Sequence, residues 1–203
     1  MQDLLDVLAS GVHDTKNQLF FAETLIAAAE SKHGIDLGEA RYAIEAAAGR
    51  LTRTLAAYRL LRDDAALAVV PCVVADVCDE VALAQRQHLA KSGITLDVDC
   101  RVLDEWAFDR DLVTDILNNA VQNAGRFARS RITLAAGIDD GWLRLCVADD
   151  GPGFPAPIRS GTGLLVAERI AALHQRGNPS RQGGLALSNG GALGGAVLEL
   201  RLP

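Results

Sequence analysis

A carboxylate coupled to two glycine-rich turns is the arrangement in this chain with the most chemical content: Val147-Ala148-Asp149-Asp150-Gly151-Pro152-Gly153, followed closely by Ser160-Gly161-Thr162-Gly163. Glycine has no Cβ and accepts positive φ, so its backbone N–H can approach phosphate oxygens closely, and a helix N-terminus adds a dipole that favours anions. A buried carboxylate at a strand end does a different job. It accepts a hydrogen bond from an exocyclic amine, which adenine carries and guanine lacks at the equivalent position. Taken alone, Asp-Asp-Gly-Pro-Gly is equally a simple turn. A second set lies upstream, where Asn119 and Asn123 are spaced to share one face of a helix. Helix interiors disfavour asparagine, and Ala120, Val121 and Ala124 surround these two with apolar groups. An asparagine carbonyl is a neutral oxygen donor suited to Mg²⁺, which on a nucleotide keeps waters and takes few protein ligands. Arg126, close to Asn123, has the charge to neutralise phosphate.

Periodicity predicts the elements that must position these residues. Leu5, Leu8, Val12, Thr15, Leu19, Ala22, Ile26 and Ala29 form a heptad seam. The glycines between Ser31 and Gly38 interrupt it, and a second seam runs through Ala40, Ile44, Ala47, Leu51, Thr54, Tyr58 and Leu61. Residues 1–65 thus read as a helical hairpin. Two helices alone cannot enclose a core, so pairing two hairpins in a homodimeric four-helix bundle is the simplest way to bury both stripes; packing on the rest of the same chain is the alternative. Arg62 to Pro71 reads as a hinge into a second domain, residues 66–203. There the pattern predicts a helix from Val73 to Lys91, a strand from Ile94 to Cys100 and a short apolar segment from Trp106 to Phe108. Asp109 then caps a helix reaching Phe127. Strands follow at Arg131–Ala136 and Trp142–Ala148 around an Asp139-Asp140-Gly141 turn, then a helix at Leu164–Leu173 and strands at Leu185–Ser188 and Ala196–Leu200. The fold class is α+β: a helical hairpin, then a sandwich of a mixed or antiparallel sheet with three helices on one face.

Composition narrows the functional classes. A chain of 203 residues with 49% hydrophobic content can build a real core. No apolar run is long enough for a membrane span, and Asp3 and Asp6 stand where a signal peptide would be basic, so a cytoplasmic protein is expected. A net charge of −6 argues against non-specific nucleic-acid binding, although Arg126, Arg129 and Arg131 form a local basic cluster. Cys72, Cys78, Cys100 and Cys146 lie in apolar runs without metal-like spacing, as reduced buried thiols do.

With these pieces in order, the chain resembles the two-component sensor histidine kinases, whose catalytic domain belongs to a wider ATPase superfamily. Asp115 to Ala124 is similar to the family's asparagine box, Val147 to Gly153 to its first glycine box, Gly161 to Leu164 to its second, and Gly194-Gly195-Ala196 to its closing one. The resemblance implies Asn123 as the Mg²⁺ ligand, Asp149 as the adenine acceptor, and Gly151, Gly153, Gly161 and Gly163 as backbone neighbours of ATP, with Asn119, Arg126 and Thr162 lining the same site. It gives the N-terminal helix a meaning too, because His13-Asp14-Thr15-Lys16-Asn17 resembles the phospho-acceptor box. His13 flanks the seam, and an imidazole with one unprotonated nitrogen can attack a γ-phosphoryl group. Asp14 is the candidate base, and Asn17, one turn away, could position water or the phosphoryl group for a phosphatase reaction.

The implied protein is an ATP-dependent histidine kinase that passes its phosphoryl group to the aspartate of a response-regulator receiver domain. No input domain is evident, so a separate sensory partner or a longer parent chain is expected. Two departures keep an alternative open. Only Pro155 to Ser160 separates Phe154 from the second glycine box, where the family commonly has a much longer lid, and Leu165 stands where it often has glycine. On that alternative the chain is a histidine phosphotransfer protein whose ATPase-like domain is a degenerate scaffold.

Overall fold

The computed structural model describes residues 2–61, 67–158, 162–175 and 181–203, which fall in two compact units, Met1–Ala65 and Ala66–Pro203. In the first unit, α1 (Gln2–His33) packs against α2 (Gly38–Leu61) as a hairpin. The first helix runs further into the glycine-flanked break than its sequence suggests. It ends at Gly34, which takes φ +65°, a conformation that favours glycine. Glu30 fastens the turn: its Oε1 accepts from Leu37 N–H at 2.7 Å, and its Oε2 pairs with Arg41 at 3.4 Å. Leu19, Ala22, Ile26 and Ala29 of the seam are half-buried, whereas Phe20, Phe21 and Leu25 beside it are exposed.

The second unit is a five-stranded mixed sheet with three helices. Its strands are β2 (Thr95–Cys100), β4 (Arg131–Asp139), β5 (Trp142–Asp149), β6 (Gly184–Asn189) and β7 (Ala196–Leu202), in the order β2-β4-β5-β7-β6. Only β2 and β4 run parallel. Alternation decides which face is covered: Ile132, Leu134, Leu143, Leu145, Val147, Leu198, Leu200 and Leu202 are buried, and their neighbours in sequence are largely half-exposed. The buried face meets α3 (Val74–Lys91), α4 (Arg110–Gly125) and α5 (Thr162–Leu173). Asp140 and Gly141 take φ +48° and +71°, the geometry of the tight hairpin predicted there.

Two expectations are corrected. The end of the supposed hinge is a strand: β1 (Val69–Val73) pairs antiparallel with β3 (Glu105–Asp109), the segment read as merely short and apolar. Pro71 sits in this two-stranded ribbon, where its lack of an N–H donor is tolerated. Residues 62–66 of the hinge lie outside the described residues. Helix α4 ends at Gly125 rather than Phe127, and the chain leaves it through Arg126, whose N–H still reaches back to Asn123 O at 3.2 Å.

Asp109 caps α4 as predicted, and does more. Its Oδ1 accepts from Leu112 N–H at 3.1 Å, its Oδ2 accepts from Ala68 N–H at 2.9 Å, and its own N–H donates to Nε2 of His174 at 3.1 Å. His174 follows α5 and is buried, and its Nδ1 lies 3.0 Å from Ile170 O. Accepting at Nε2 requires the neutral ring with its proton on Nδ1. Burial accordingly pulls the His174 pKa below its ordinary value. One carboxylate and one imidazole therefore tie the starts of β1 and α4 to the end of α5.

Candidate functional site

The sheet delivers Asp149 to the end of β5 on its buried face, because Asp149 continues the Leu143, Leu145, Val147 alternation. Its Oδ1 accepts from Gly151 N–H at 2.8 Å and from Ala196 N–H at 3.2 Å, while its backbone carbonyl accepts from Gly195 N–H at 3.0 Å. One oxygen thus holds both the glycine turn and the start of β7. No described residue donates to Oδ2. The surrounding glycines are required by close approach. A Cβ at Gly195 would overlap the Asp149 carbonyl and carboxylate and the Gly151 nitrogen, and one at Gly151 would overlap the Phe127 carbonyl. Gly153 takes φ +80° and turns the chain out of the site.

The end of α4 abuts this turn. Besides the Phe127 carbonyl against Gly151, Asp150 accepts from Arg129 N–H at 2.7 Å, from Ser130 N–H at 3.1 Å and from the Ser130 hydroxyl at 2.7 Å. The Ser130 side chain, then the backbone N–H groups, hold the Asp150 carboxyl far below the ordinary carboxylate range. On the other side, Gly163 in the first turn of α5 faces Asn119: its missing Cβ would lie 3.4 Å from the Asn119 Nδ2. Asn119 and Asn123 are half-buried on α4, and Arg126 is exposed at its C-cap. Neighbouring Asn118 instead accepts from the buried Gln85 of α3 at 2.8 Å, which fixes that helix face. Helix α4 and its exit thus touch both glycine turns, Asn119 meeting Gly163 and the Phe127 carbonyl meeting Gly151 beside Asp149. Gly161 lies outside the described residues, as does the side chain of Thr162, whose backbone opens α5. His13 and Asp14 are on α1 with side chains outside the described set, and Asn17 is exposed there.

Four contributors escape a reading of sequence alone. Asp150 looks like the second half of an Asp-Asp pair, yet it binds the preceding loop; an Asp just ahead of Gly is the available signal. Phe127 sits beside the turn with its ring exposed. Asn189 ends β6 and grips Phe154, and Gln85 resembles any polar residue on a helix. For the last two, only tertiary contact makes the role visible. The basic cluster divides, since Arg131 pairs with Asp97 at 3.6 Å while Arg129 contributes its backbone to Asp150.

A mixed sheet covered by three helices, with a buried aspartate at a glycine turn and an asparagine-bearing helix beside it, is an architecture shared with histidine kinase ATP-binding domains. Residues 108–203 match the family model described as histidine kinase-, DNA gyrase B- and HSP90-like ATPase. The C-terminal unit thus has the fold of histidine kinase ATP-binding domains. Among sequence relatives, the chain is 23% identical to the virulence sensor histidine kinase PhoQ of Salmonella typhimurium over 143 residues, which is 63% of this chain and 28% of that protein. Thus it spans little more than a quarter of the length of the curated relatives it matches. Among solved structures, the histidine kinase AdeS of Acinetobacter baumannii aligns over 92% of this chain and 95% of its own, with a TM-score of 0.65 at 14% identity. Full-length ShkA in complex with AMPPNP aligns over 98% of this chain and 45% of its own, with a TM-score of 0.66 at 20% identity. These likenesses carry the fold across both units. No helix among the described residues is long and apolar enough to cross a membrane.

Proposed function

We propose that the chain is an ATP-dependent protein histidine kinase, with residues 1–65 serving as a dimeric phosphotransfer hairpin and residues 66–203 as the nucleotide-binding catalytic domain. The observation that carries this reading is the arrangement at Asp149: a buried carboxylate whose Oδ1 is occupied by two backbone donors, with Oδ2 left for the exocyclic amine of adenine. The donor set also suits the rest of ATP. Gly151 and Gly195 keep the backbone close to the base, Phe127 offers an exposed ring to stack on it, and the first turn of α5 at Thr162 and Gly163 offers N–H groups to phosphate. Likeness to a kinase whose structure contains AMPPNP points the same way. Asn123, with Asn119 beside it, would hold Mg²⁺, which supplies charge neutralisation on the phosphates when bound. Arg126, exposed at the end of α4, would add to that neutralisation.

In this reading an unprotonated imidazole nitrogen of His13 attacks the γ-phosphorus of ATP. An N–P bond forms, the bond to the ADP leaving oxygen breaks, and Asp14 orients the ring and takes the proton from its other nitrogen. The phosphoryl group then passes to a response-regulator aspartate, and Asn17, exposed one turn from His13, would place water for the phosphatase reaction, in which that aspartyl phosphate is hydrolysed to aspartate and inorganic phosphate. Incubation with γ-labelled ATP and Mg²⁺ should give acid-labile, base-stable label on the full chain and none on His13→Gln. Label that persists in His13→Gln refutes the assignment. Absence of Mg-ATP binding at millimolar concentration would favour the phosphotransfer protein with a degenerate domain, for which the short Pro155–Ser160 connection is the argument.

A further inference from the structure

We propose that Asn189, at the end of β6, is a positioning residue that holds the nucleotide turn at its Phe154 end, as Asp149 holds its start; the inference rests on the nucleotide-binding reading of that turn. Its amide makes both of the hydrogen bonds a strand neighbour would make: Oδ1 accepts from Phe154 N–H at 2.6 Å, and Nδ2 donates to Phe154 O at 2.9 Å. A single side chain thus pairs the backbone where it leaves the turn. Gly153 is adjusted to it, since at φ +80° a Cβ there would come 2.7 Å from Asn189 Oδ1. The glycine at this position is therefore fixed by a protein neighbour, independently of any phosphate.

The contacts close a circuit. From Asn189 the chain enters a glycine-rich connection in which Gly190 N–H donates to Gly195 O at 2.8 Å and Gly194 N–H donates to Gly190 O at 3.0 Å. Gly195 N–H then reaches Asp149 O at 3.0 Å, and Ala196 N–H reaches Asp149 Oδ1. The β6–β7 connection consequently grips the turn at both ends, through Gly195 and Ala196 at Asp149 and through Asn189 at Phe154. Asn189 itself is exposed and ends a strand, where asparagine is a poor choice, so packing gives no reason for it. Its amide contacts backbone only. Through that backbone it fixes the path of Gly151 to Phe154 and hence the N–H groups offered to a bound nucleotide.

Removing the amide should let the turn sample other conformations and release nucleotide faster, with little effect on the core. The test is stopped-flow dissociation of N-methylanthraniloyl-ADP from the full chain, compared among wild type, Asn189→Ala, Asn189→Asp and Asp149→Asn, with amide hydrogen exchange at Phe154 measured without nucleotide. Asn189→Ala should dissociate roughly tenfold faster, the effect of two neutral hydrogen bonds. Its Phe154 amide should exchange faster, and its melting temperature should stay within a few degrees of wild type. Asn189→Asp keeps the acceptor but loses the donor, and should fall between. A merely structural residue would lower the folded fraction without changing the dissociation rate of the folded molecules. Unchanged dissociation in Asn189→Ala, with binding lost in Asp149→Asn, overturns this inference and leaves the nucleotide reading standing. Unchanged binding in Asp149→Asn overturns both. If Asn189→Ala does not fold, dissociation from Asn189→Asp decides, a wild-type rate again counting against the proposal.

Discussion

Replacing Asp149 by asparagine should remove ATP binding while leaving the fold intact, because the two carboxylate oxygens do different work. Oδ1 carries both protein hydrogen bonds, to Gly151 N–H at 2.8 Å and Ala196 N–H at 3.2 Å. An asparagine must keep its carbonyl oxygen there. The flipped amide would point hydrogens at two backbone donors and leave both without an acceptor, at about 1–3 kcal/mol each. The amide nitrogen is thereby forced into the place of Oδ2, where it presents a donor to the exocyclic amine of adenine. Losing one charge-assisted hydrogen bond costs about 2–3 kcal/mol, or roughly 30- to 150-fold in Kd, and the donor–donor contact adds to it. GTP, which presents a carbonyl at that position, should be penalised least. Calorimetric titration of the full chain with Mg-ATP measures the affinity, and thermal melts of wild type, Asp149→Asn and Asp149→Ala measure the fold. Asp149→Ala should be clearly less stable than Asp149→Asn, since alanine leaves both N–H groups unpaired. Undiminished ATP affinity in Asp149→Asn, or destabilisation equal to that of Asp149→Ala, would refute the division of labour between the two oxygens.

Three further outcomes are expected. Gly195→Ala places a methyl group against backbone atoms of Asp149 and Gly151 that cannot rotate away; it should abolish Mg-ATP binding and lower stability by about 1–3 kcal/mol, measurable by denaturant melts. Asn123→Ala should raise the Mg²⁺ concentration needed for half-maximal autophosphorylation while nucleotide binding without Mg²⁺ changes little, as titration with Mg²⁺ in a chelator-buffered assay would reveal. His174 is neutral in the fold, with its pKa pulled below the ordinary value of about 6.5 by burial, so the unfolded chain takes up the proton first as pH falls. Its stabilising contribution is complete above about pH 6.5 and declines below it towards the native pKa, so denaturant midpoints should fall from pH 7.5 to pH 5, less steeply in His174→Phe.

What was legible in the sequence is what local periodicity and turn chemistry can encode. The apolar run Trp142–Ala148 identified β5 and put Asp149 at its end, and Asp109 ahead of an amphipathic run predicted the cap of α4. The β1–β3 ribbon was missed because each strand is short, and Val69-Val70-Pro71 beside a charged segment looks like linker until it has a partner. Equally, the resemblance put Asp149 and the glycines in one site, but the contacts that hold them there join residues far apart in the chain. Asp150 to Ser130, Asn189 to Phe154 and His174 to Asp109 are pairings between distant loop or terminal residues, and no period connects them.

Those long-range pairings also explain why the glycines cannot be read as nucleotide contacts alone. Gly153 meets Asn189, Gly195 meets Asp149, and Gly151 meets Phe127, each a contact with another part of the protein. The turn is therefore shaped by contacts within the fold, which lower the ordering that would otherwise oppose binding. It follows that ligand stabilisation should separate the two kinds of residue. A chain altered only at a substrate-facing atom, as in Asp149→Asn, keeps its own melting temperature and loses the upward shift that saturating Mg-ATP gives wild type. A chain altered at a protein-facing grip, as in Asn189→Ala, keeps a shift that is smaller by its loss of affinity. If both variants lost the shift in proportion to lost stability instead, the turn would be shaped by the nucleotide rather than by the β6–β7 connection.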